Sequence, residues 1–231
     1  MYPWSPAVHL LLRHLAAVGF PYSPRVLGID DEGREVLSFI PGLSGQLGWS
    51  EVVEDKGLEA FARLLREYHE AVATFRPAPE TMWAFGPAAC RAGEVVCHGD
   101  FGPWNVVWRD GEPVGILDWD FARPGRPERD IIYAAEWIAP FRDDAHCRRW
   151  LHHPNPPDRR HRLERFCAAY GLPSADGMVD AVLRGQQEHR ELVRQLAARG
   201  LEPQASWVAE GNLRMRDGFV AWSRANRHLF E

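Results

Sequence analysis

The sequence predicts an α+β fold in which a short, strand-containing beginning is followed by a mainly helical remainder. Apolar residues recur at helical spacing in the ranges 57–75, 178–199 and 205–227. Short apolar runs bounded by turn residues indicate strands at 25–29, 35–40, 94–97 and 114–117. With 231 residues, the chain is long enough to bury a sizeable core, as one large domain or as two small lobes.

The first 44 residues predict a helix followed by a two-stranded hairpin. Ser5 is the expected N-cap, with Pro6 at the first helical position. The apolar face of this helix consists of Val8, Leu11, Leu12 and Leu15. The strands at 25–29 and 35–40 are joined by a turn at 31–33, and the breaker-rich range 41–45 predicts a linker. We therefore expect residues 1–44 and residues 45–231 to form separate lobes.

A polar loop after the strand at 94–97 carries His98, Asp100 and Asn105, spaced as His-x-Asp-x-x-x-x-Asn. Asp110-Gly111 is a strong signal for a two-residue hairpin turn, so the strands on either side of it run antiparallel. Asp118 then lies at the same end of the hairpin as Asn105. Phosphoryl transfer from ATP needs one carboxylate to accept a hydroxyl proton, and oxygen ligands that hold Mg²⁺ on the phosphates. We expect Asp100 to be the base, and Asn105 and Asp118 to be the Mg²⁺ ligands.

Three further residues are expected to support this site. His98 should fix the loop through hydrogen bonds rather than act as a base. Asp120 is a weaker candidate, either an acceptor behind the metal ligands or a solvated turn residue. His69 lies beside the apolar stripe of the helix at 57–75, where a packed or hydrogen-bonded histidine is the expected role.

The motif resembles the aminoglycoside phosphotransferase family, whose relatives include the choline kinases and, more remotely, the protein kinases. His98 to Asn105, continued by 118–120, carries the specific part of the resemblance, and the range 28–42 carries a looser part. The resemblance implies a protein-kinase-like fold with a reduced N-lobe, made of a helix and two strands, and a mainly helical C-lobe with catalytic β-hairpins. It implies ATP and Mg²⁺ as cofactors.

The resemblance also implies individual roles. The residue matching Asp100 is the catalytic base, and those matching Asn105 and Asp118 bind Mg²⁺. Phe39 and Ile40 lie where the linker backbone of the family holds the adenine. Asp130, a candidate N-cap for the helix at 131–135, would also bond the catalytic loop. The C-terminal helices would form one wall of the acceptor pocket.

Composition and charge favour an intracellular enzyme. A net charge of −5 without a basic stripe argues against a nucleic-acid surface. Four scattered cysteines indicate thiols in a reducing compartment, and neither a signal peptide nor a membrane span is evident, so we expect a cytoplasmic protein. The arginine-rich range 148–162 is expected to form a solvated helix face.

Some parts of such a kinase are absent from the sequence. Residues 1–44 contain neither a glycine-rich loop nor a lysine, and Lys56 is the only lysine of the chain. Three explanations for these missing parts stay open. The true start of the protein lies upstream in the gene, or a partner or second subunit supplies the missing contacts. Alternatively, the chain has lost catalysis and serves as a binding or immunity protein. A shortened sheet also exposes a strand edge, which favours a homodimer.

The expected function is transfer of the ATP γ-phosphate to a hydroxyl of a small-molecule acceptor, aminoglycoside-like or another small alcohol. The alternative is a catalytically impaired, kinase-like binding or immunity protein. A metal-dependent phosphohydrolase using the same carboxylates ranks below both, because it would need more metal ligands close together.

Overall fold

A helix and a two-stranded sheet form the first part of the chain in the computed structural model, which describes all 231 residues. Helix α1 spans Ser5–Ala17, and strands β1 (Val26–Ile29) and β2 (Glu35–Leu37) pair antiparallel, with Val26 opposite Leu37. Leu11, Leu12 and Leu15 are fully buried, so the predicted apolar face is confirmed. The predicted N-cap is wrong: Trp4 is the cap, and the Ser5 hydroxyl instead accepts a hydrogen bond from the backbone N–H of Tyr2.

The predicted linker is attached to the hairpin that follows the polar loop. Leu43 and Trp108 exchange two backbone hydrogen bonds of 2.7 Å. Gly42 allows this approach, because a Cβ atom there would lie 2.5 Å from the carbonyl oxygen of Trp108. Two helices follow, α2 (Gly48–Glu51) and α3 (Asp55–Ala71), and α3 buries Phe61, Leu65 and Tyr68 as its apolar periodicity requires.

Short antiparallel strand pairs occupy the middle of the chain. Strands β3 (Met82–Trp83) and β4 (Gly86–Pro87) pair with each other, as do β5 (Val95–Cys97) and β8 (Arg123–Gly125). The predicted hairpin is confirmed as β6 (Val106–Arg109) and β7 (Glu112–Ile116). Asp110 and Gly111 both have positive φ, at 55° and 75°, as a tight two-residue turn of this kind requires.

Six helices complete the chain: α4 (Glu128–Ile138), α5 (Asp144–Trp150), α6 (Arg159–Tyr170), α7 (Met178–Ala198), α8 (Gln204–Ala209) and α9 (Asn212–Ala225). The prediction of one helix over 205–227 is wrong. Gly211 has a φ of 92°, a left-handed conformation that interrupts the helix and separates α8 from α9. None of the helices is both long and apolar enough to cross a membrane.

The prediction of a solvated face in the arginine-rich range is confirmed for Arg148, Arg149 and Arg160, which are exposed, and is wrong for two other arginines. Arg159 and Arg162 are buried, not solvated, and donate to backbone carbonyls. Arg162 bonds the Ile138 carbonyl at 2.7 Å, and Arg159 bonds the carbonyls of Pro140 and Arg142. These carbonyls lie at and beyond the end of α4, where a helix leaves acceptors without partners of its own. The two guanidinium groups therefore satisfy backbone groups that burial would otherwise leave unpaired.

The residues group into two compact units, one of 1–131 with 169–171 and one of 132–168 with 172–231. The first contains all eight strands and the polar loop, and the second is helical. The observed fold is the predicted α+β type, with a helix and two strands before the linker and a mainly helical remainder. The predicted lobe boundary after residue 44 stays a prediction.

Candidate active site

The polar loop after β5 is anchored to the buried carboxylate of Asp130. This carboxylate accepts hydrogen bonds from the backbone N–H of His98 at 2.7 Å and of Gly99 at 2.9 Å, and it pairs with His69 Nε2 at 3.1 Å. Burial alone would raise the pKa of Asp130, but His69, His98 and the Gly99 N–H outweigh it, and the pKa is lowered. The expected bond to the loop is confirmed. Asp130 is the third residue of α4, so its prediction as the N-cap is wrong.

His69 extends this anchor to a second element. Its Nδ1 atom lies 2.8 Å from the hydroxyl of Tyr170, the last residue of α6, while its Nε2 atom faces Asp130. Both ring nitrogens are therefore occupied, which confirms the expectation of a hydrogen-bonded histidine. The role of Tyr170 has no signal in the sequence, because the two residues are 101 positions apart.

His98 connects the loop to the end of the hairpin. The side chain is fully buried, and its Nε2 atom donates to the carbonyl of Leu117 at 2.9 Å. Its Nδ1 atom accepts from the backbone N–H of Asp100 at 3.3 Å. Burial lowers the pKa of His98, against the opposing effects of Asp130 and Asp118. A neutral ring with one donor and one acceptor matches these two bonds and holds the loop in place.

Asp100 and Asn105 contact each other directly. The amide nitrogen of Asn105 donates to the carboxylate oxygen Oδ2 of Asp100 at 3.0 Å and to the Asp100 carbonyl at 2.9 Å. Asn105 belongs to the 3-10 turn Pro103–Asn105 rather than to the strand after it. Its carbonyl accepts from the backbone N–H of Leu117 at 2.8 Å, which brings Asp118 to the same end of the hairpin. Asp100 is half-buried and Asp118 is exposed.

A third carboxylate, Asp120, follows Asp118 by two residues. Burial, Asp118 and Glu35 raise its pKa to about 6, and the indole of Trp4 opposes the shift. Glu35 is the first residue of β2, so the sheet of the first 44 residues contributes charge to this neighbourhood. Two alternative roles were predicted for Asp120: an acceptor behind the metal ligands, or a solvated turn residue. Because Asp120 is half-buried, it is not a fully solvated residue.

Phe39 and Ile40 follow β2 and differ in environment. The side chain of Phe39 is 84% exposed. Ile40 packs on the hairpin, where a Cβ atom added to Gly115 would lie 2.7 Å from Ile40 Cδ1. The absence of a side chain at Gly115 gives Ile40 its place against β7. A role for the two residues in binding adenine stays a prediction.

Comparison with known proteins adds to this geometry. The model of the phosphotransferase enzyme family matches residues 80–177, which include the whole polar loop and the hairpin. A trifolitoxin immunity protein of Rhizobium leguminosarum bv. trifolii is 38% identical over 188 residues, covering 78% of this chain and 70% of that protein. The chain belongs to the phosphotransferase enzyme family.

Solved structures of kinases share the fold of this family member. Amicoumacin kinase in complex with AMP-PNP and Ca²⁺ aligns with a TM-score of 0.61 at 12% identity, over 94% of this chain and 77% of that chain. The GDP complex of aminoglycoside 2′-phosphotransferase-IIIa aligns with a TM-score of 0.57 at 14% identity, over 95% and 81% of the two chains. The predicted protein-kinase-like fold is confirmed, with a reduced N-lobe of α1, β1 and β2.

One hydrogen-bonded pair between α1 and β2 was not predicted from the sequence. His9 Nε2 of α1 lies 2.8 Å from Glu35 Oε2 of β2. The sequence places His9 next to the apolar face of α1, but it does not indicate the partner, which lies 26 residues away.

Lys56, the only lysine, pairs with Glu112 at 2.6 Å and is exposed. No group of three or more His, Cys, Asp or Glu side chains is arranged to hold a metal ion.

Proposed function

We propose that this phosphotransferase family member transfers the γ-phosphate of ATP to a hydroxyl of a small molecule. The observation that carries the proposal is the bond of 3.0 Å between the Asn105 amide and the Asp100 carboxylate. It holds a carboxylate suited to proton acceptance next to an amide suited to metal binding. Catalysis of phosphoryl transfer consists mainly of such positioning and charge stabilisation.

The residues fit a magnesium ion. The side-chain nitrogen of Asn105 donates its hydrogen bonds to Asp100, so the side-chain oxygen remains for a metal ion. Asp118, at the same end of the hairpin, has an exposed carboxylate. Two oxygen donors, completed by phosphate oxygens and water, are the usual protein contribution to Mg²⁺ in nucleotide sites. When bound, the ion would supply positive charge to the transferring phosphate.

Asp100 acts on the acceptor in this proposal. Its Oδ2 atom is held by Asn105, and the carboxylate would orient the acceptor hydroxyl and take its proton as the bond to phosphorus forms. His98 keeps the backbone of Asp100 in position through its bonds to Asp100 and Leu117. The loop is fixed in turn by Asp130, so its geometry does not depend on the acceptor.

Fewer contacts support the proposed binding of the adenine base of ATP. We propose that the backbone of Phe39 and Ile40 bonds the base, as their place between β2 and the linker suggests. The exposed ring of Phe39 is then available to cover the nucleotide. Cytoplasmic location and a homodimer formed through the edge of the β1–β2 sheet stay predictions.

The second candidate function is binding without transfer, as an immunity protein. It is favoured by the relative that is 38% identical, which is a trifolitoxin immunity protein. In this function the same loop would hold a ligand, and Asp100 would not be needed for proton transfer.

One pair of assays separates the two functions. ADP formation is measured with wild type, Asp100→Asn and Asp110→Asn across a panel of aminoglycosides, choline-like alcohols and sugars. Protection is measured by expressing the same variants in a trifolitoxin-sensitive strain. Acceptor-stimulated ADP formation that only Asp100→Asn abolishes supports the phosphotransferase. Protection that persists in Asp100→Asn, without ADP formation by wild type, supports the binding protein.

A further inference from the structure

Two phenylalanines and an arginine form a ledge, made of Phe85, Phe121 and Arg123, beside the polar loop. The rings of Phe85 and Phe121 stack with their centroids 6.0 Å apart and their planes at 29°. The guanidinium carbon of Arg123 lies 4.1 Å from the centroid of the Phe85 ring, which is the geometry of a cation–π contact. All three residues are half-buried, so part of the ledge remains accessible to a ligand.

Phe121 packs directly against the loop that contains the proposed base. In the pairing of β5 with β8, Cys97 lies opposite Arg123, and beyond this pair the two chains bring Gly99 against Phe121. A Cβ atom at Gly99 would lie 2.2 Å from the Phe121 carbonyl oxygen and 3.1 Å from the Phe121 Cβ atom. Because Cα atoms of successive residues are about 3.8 Å apart, the Phe121 Cβ atom lies within about 9 Å of the Asp100 Cα atom. The ledge is therefore a neighbour of an acceptor whose hydroxyl reaches Asp100.

The hairpin of β3 and β4 holds Phe85 on the ledge without burying it. Trp83 and Ala84, which precede Phe85, are each only 1% exposed. The indole N–H of Trp83 donates to the carbonyl of Ala88 at 3.0 Å, which closes the hairpin around Phe85. Ligand sites are lined mainly by aromatic and apolar side chains with a few polar groups, and the ledge has this composition.

We propose that the ledge binds the acceptor and determines its class, an uncharged alcohol with an apolar or aromatic ring face. The two phenyl rings would pack against the ring of the acceptor. The positive charge of Arg123 would repel a polycation, so a polycationic aminoglycoside would be a poor acceptor. The inference deepens the proposed function and rests on it, since it takes the acceptor hydroxyl to lie at Asp100.

Two probes of opposite class test the role of the rings. ADP formation and calorimetric binding are measured with phenyl β-glucoside, an uncharged alcohol with an aromatic ring, and with kanamycin, a polycation. We expect wild type to have the higher kcat/KM for the glucoside. In Phe85→Leu, the KM for the glucoside should rise about fivefold while kcat changes by less than about twofold, because the stacking contact lies away from the reacting atoms. Phe85→Tyr keeps the ring and should keep the wild-type KM.

Further variants test the arginine and provide matched controls. Arg123→Gln removes the charge and should raise kcat/KM for kanamycin by at least about threefold, a gain that added salt should reduce. Arg109→Gln makes the same change at the exposed end of β6, and Phe75→Leu alters a half-buried ring that contacts His14. Both controls should leave kcat/KM for the two probes within about twofold of wild type. Thermal unfolding checks that every variant folds.

The outcomes separate this inference from the proposed function. A preference for the glucoside that Phe85→Leu weakens through KM, and that neither control changes, supports the inference. A preference of wild type for kanamycin, an unchanged KM in Phe85→Leu, or no use of the glucoside overturns it. The proposed function still stands in those cases if any acceptor of the panel gives ADP formation that depends on Asp100. Absence of acceptor-stimulated ADP formation with every acceptor overturns both.

Discussion

The Asn105 amide nitrogen lies 3.0 Å from the carboxylate of Asp100. The backbone carbonyl of Asn105 accepts a hydrogen bond from the backbone N–H of Leu117, the residue before Asp118. One buried side chain and its backbone thus connect the proposed base to the proposed metal ligand. The connection depends on the tight turn that returns β7 beside β6. A short segment of sequence therefore contains the proposed base and both proposed metal ligands.

Replacing Asp100 by Asn should abolish transfer and spare the fold. The amide keeps the size of the side chain but cannot accept a proton, so turnover should fall by about 10²–10⁴-fold. Steady-state ADP formation measures the loss, and thermal unfolding checks the fold. Asp110→Asn, in the hairpin turn, is the matched control, because asparagine also tolerates the positive φ of that position. Turnover near the wild-type rate in Asp100→Asn would contradict the assigned role.

Replacing Asp130 by Ala should destabilise the protein strongly. The change leaves the N–H groups of His98 and Gly99 and a ring nitrogen of His69 without their acceptor inside the protein. We expect a loss of about 3 kcal/mol in the free energy of unfolding, measured by urea denaturation. Asp130→Asn, which keeps one acceptor oxygen, should lose less. A loss below about 1 kcal/mol in Asp130→Ala would show that the anchor is not essential.

Asp120 should make the protein less stable as the pH rises. Its pKa of about 6 in the folded state exceeds the value of about 4 expected in the unfolded chain. The folded state therefore binds more protons between these values, and stability falls as pH rises from about 4 to about 6. Asp120→Asn should remove this slope and raise the melting temperature above about pH 6. Melting curves in metal-free buffer test it, and an unchanged slope would contradict the assignment.

His153 should act in the opposite direction at acid pH. Burial, Arg162 and Arg159 lower its pKa to about 4, whereas the unfolded value is about 6.5. The folded state binds fewer protons in this window, so stability is lost as pH falls from about 6.5 to about 4. His153→Gln should reduce that loss, as measured by the melting temperature across the window. His146, whose pKa burial and Arg142 also lower to about 4, should add to the same loss.

Features that depend on residues close together in the chain were predicted correctly from the sequence. The loop from His98 to Asn105, the turn at Asp110-Gly111 and the apolar face of α1 follow from local spacing, and the structure has all three. The bond from Asp130 to the loop came from the family resemblance. Such features depend on residues close in the chain or on a shared fold.

Long-range partners could not be predicted from the sequence. Arg159 and Arg162 looked solvated because acidic residues are nearby, yet they satisfy carbonyls around the end of α4. His9 pairs with Glu35 only because α1 packs beside β2. Gly211 breaks a helix that apolar periodicity alone predicted as continuous. In each case tertiary packing decided the environment of the side chain.

The most direct test of the central claim is calorimetric titration with ATP, with and without Mg²⁺, on wild type and Asp118→Asn. Asp118 has a φ of 58°, which asparagine also adopts, so the variant removes charge without straining the backbone. We predict magnesium-dependent binding by wild type and a loss of at least about tenfold in affinity in the variant. Binding that needs neither Mg²⁺ nor Asp118, or no binding by the folded wild type, would contradict the proposed phosphotransferase site.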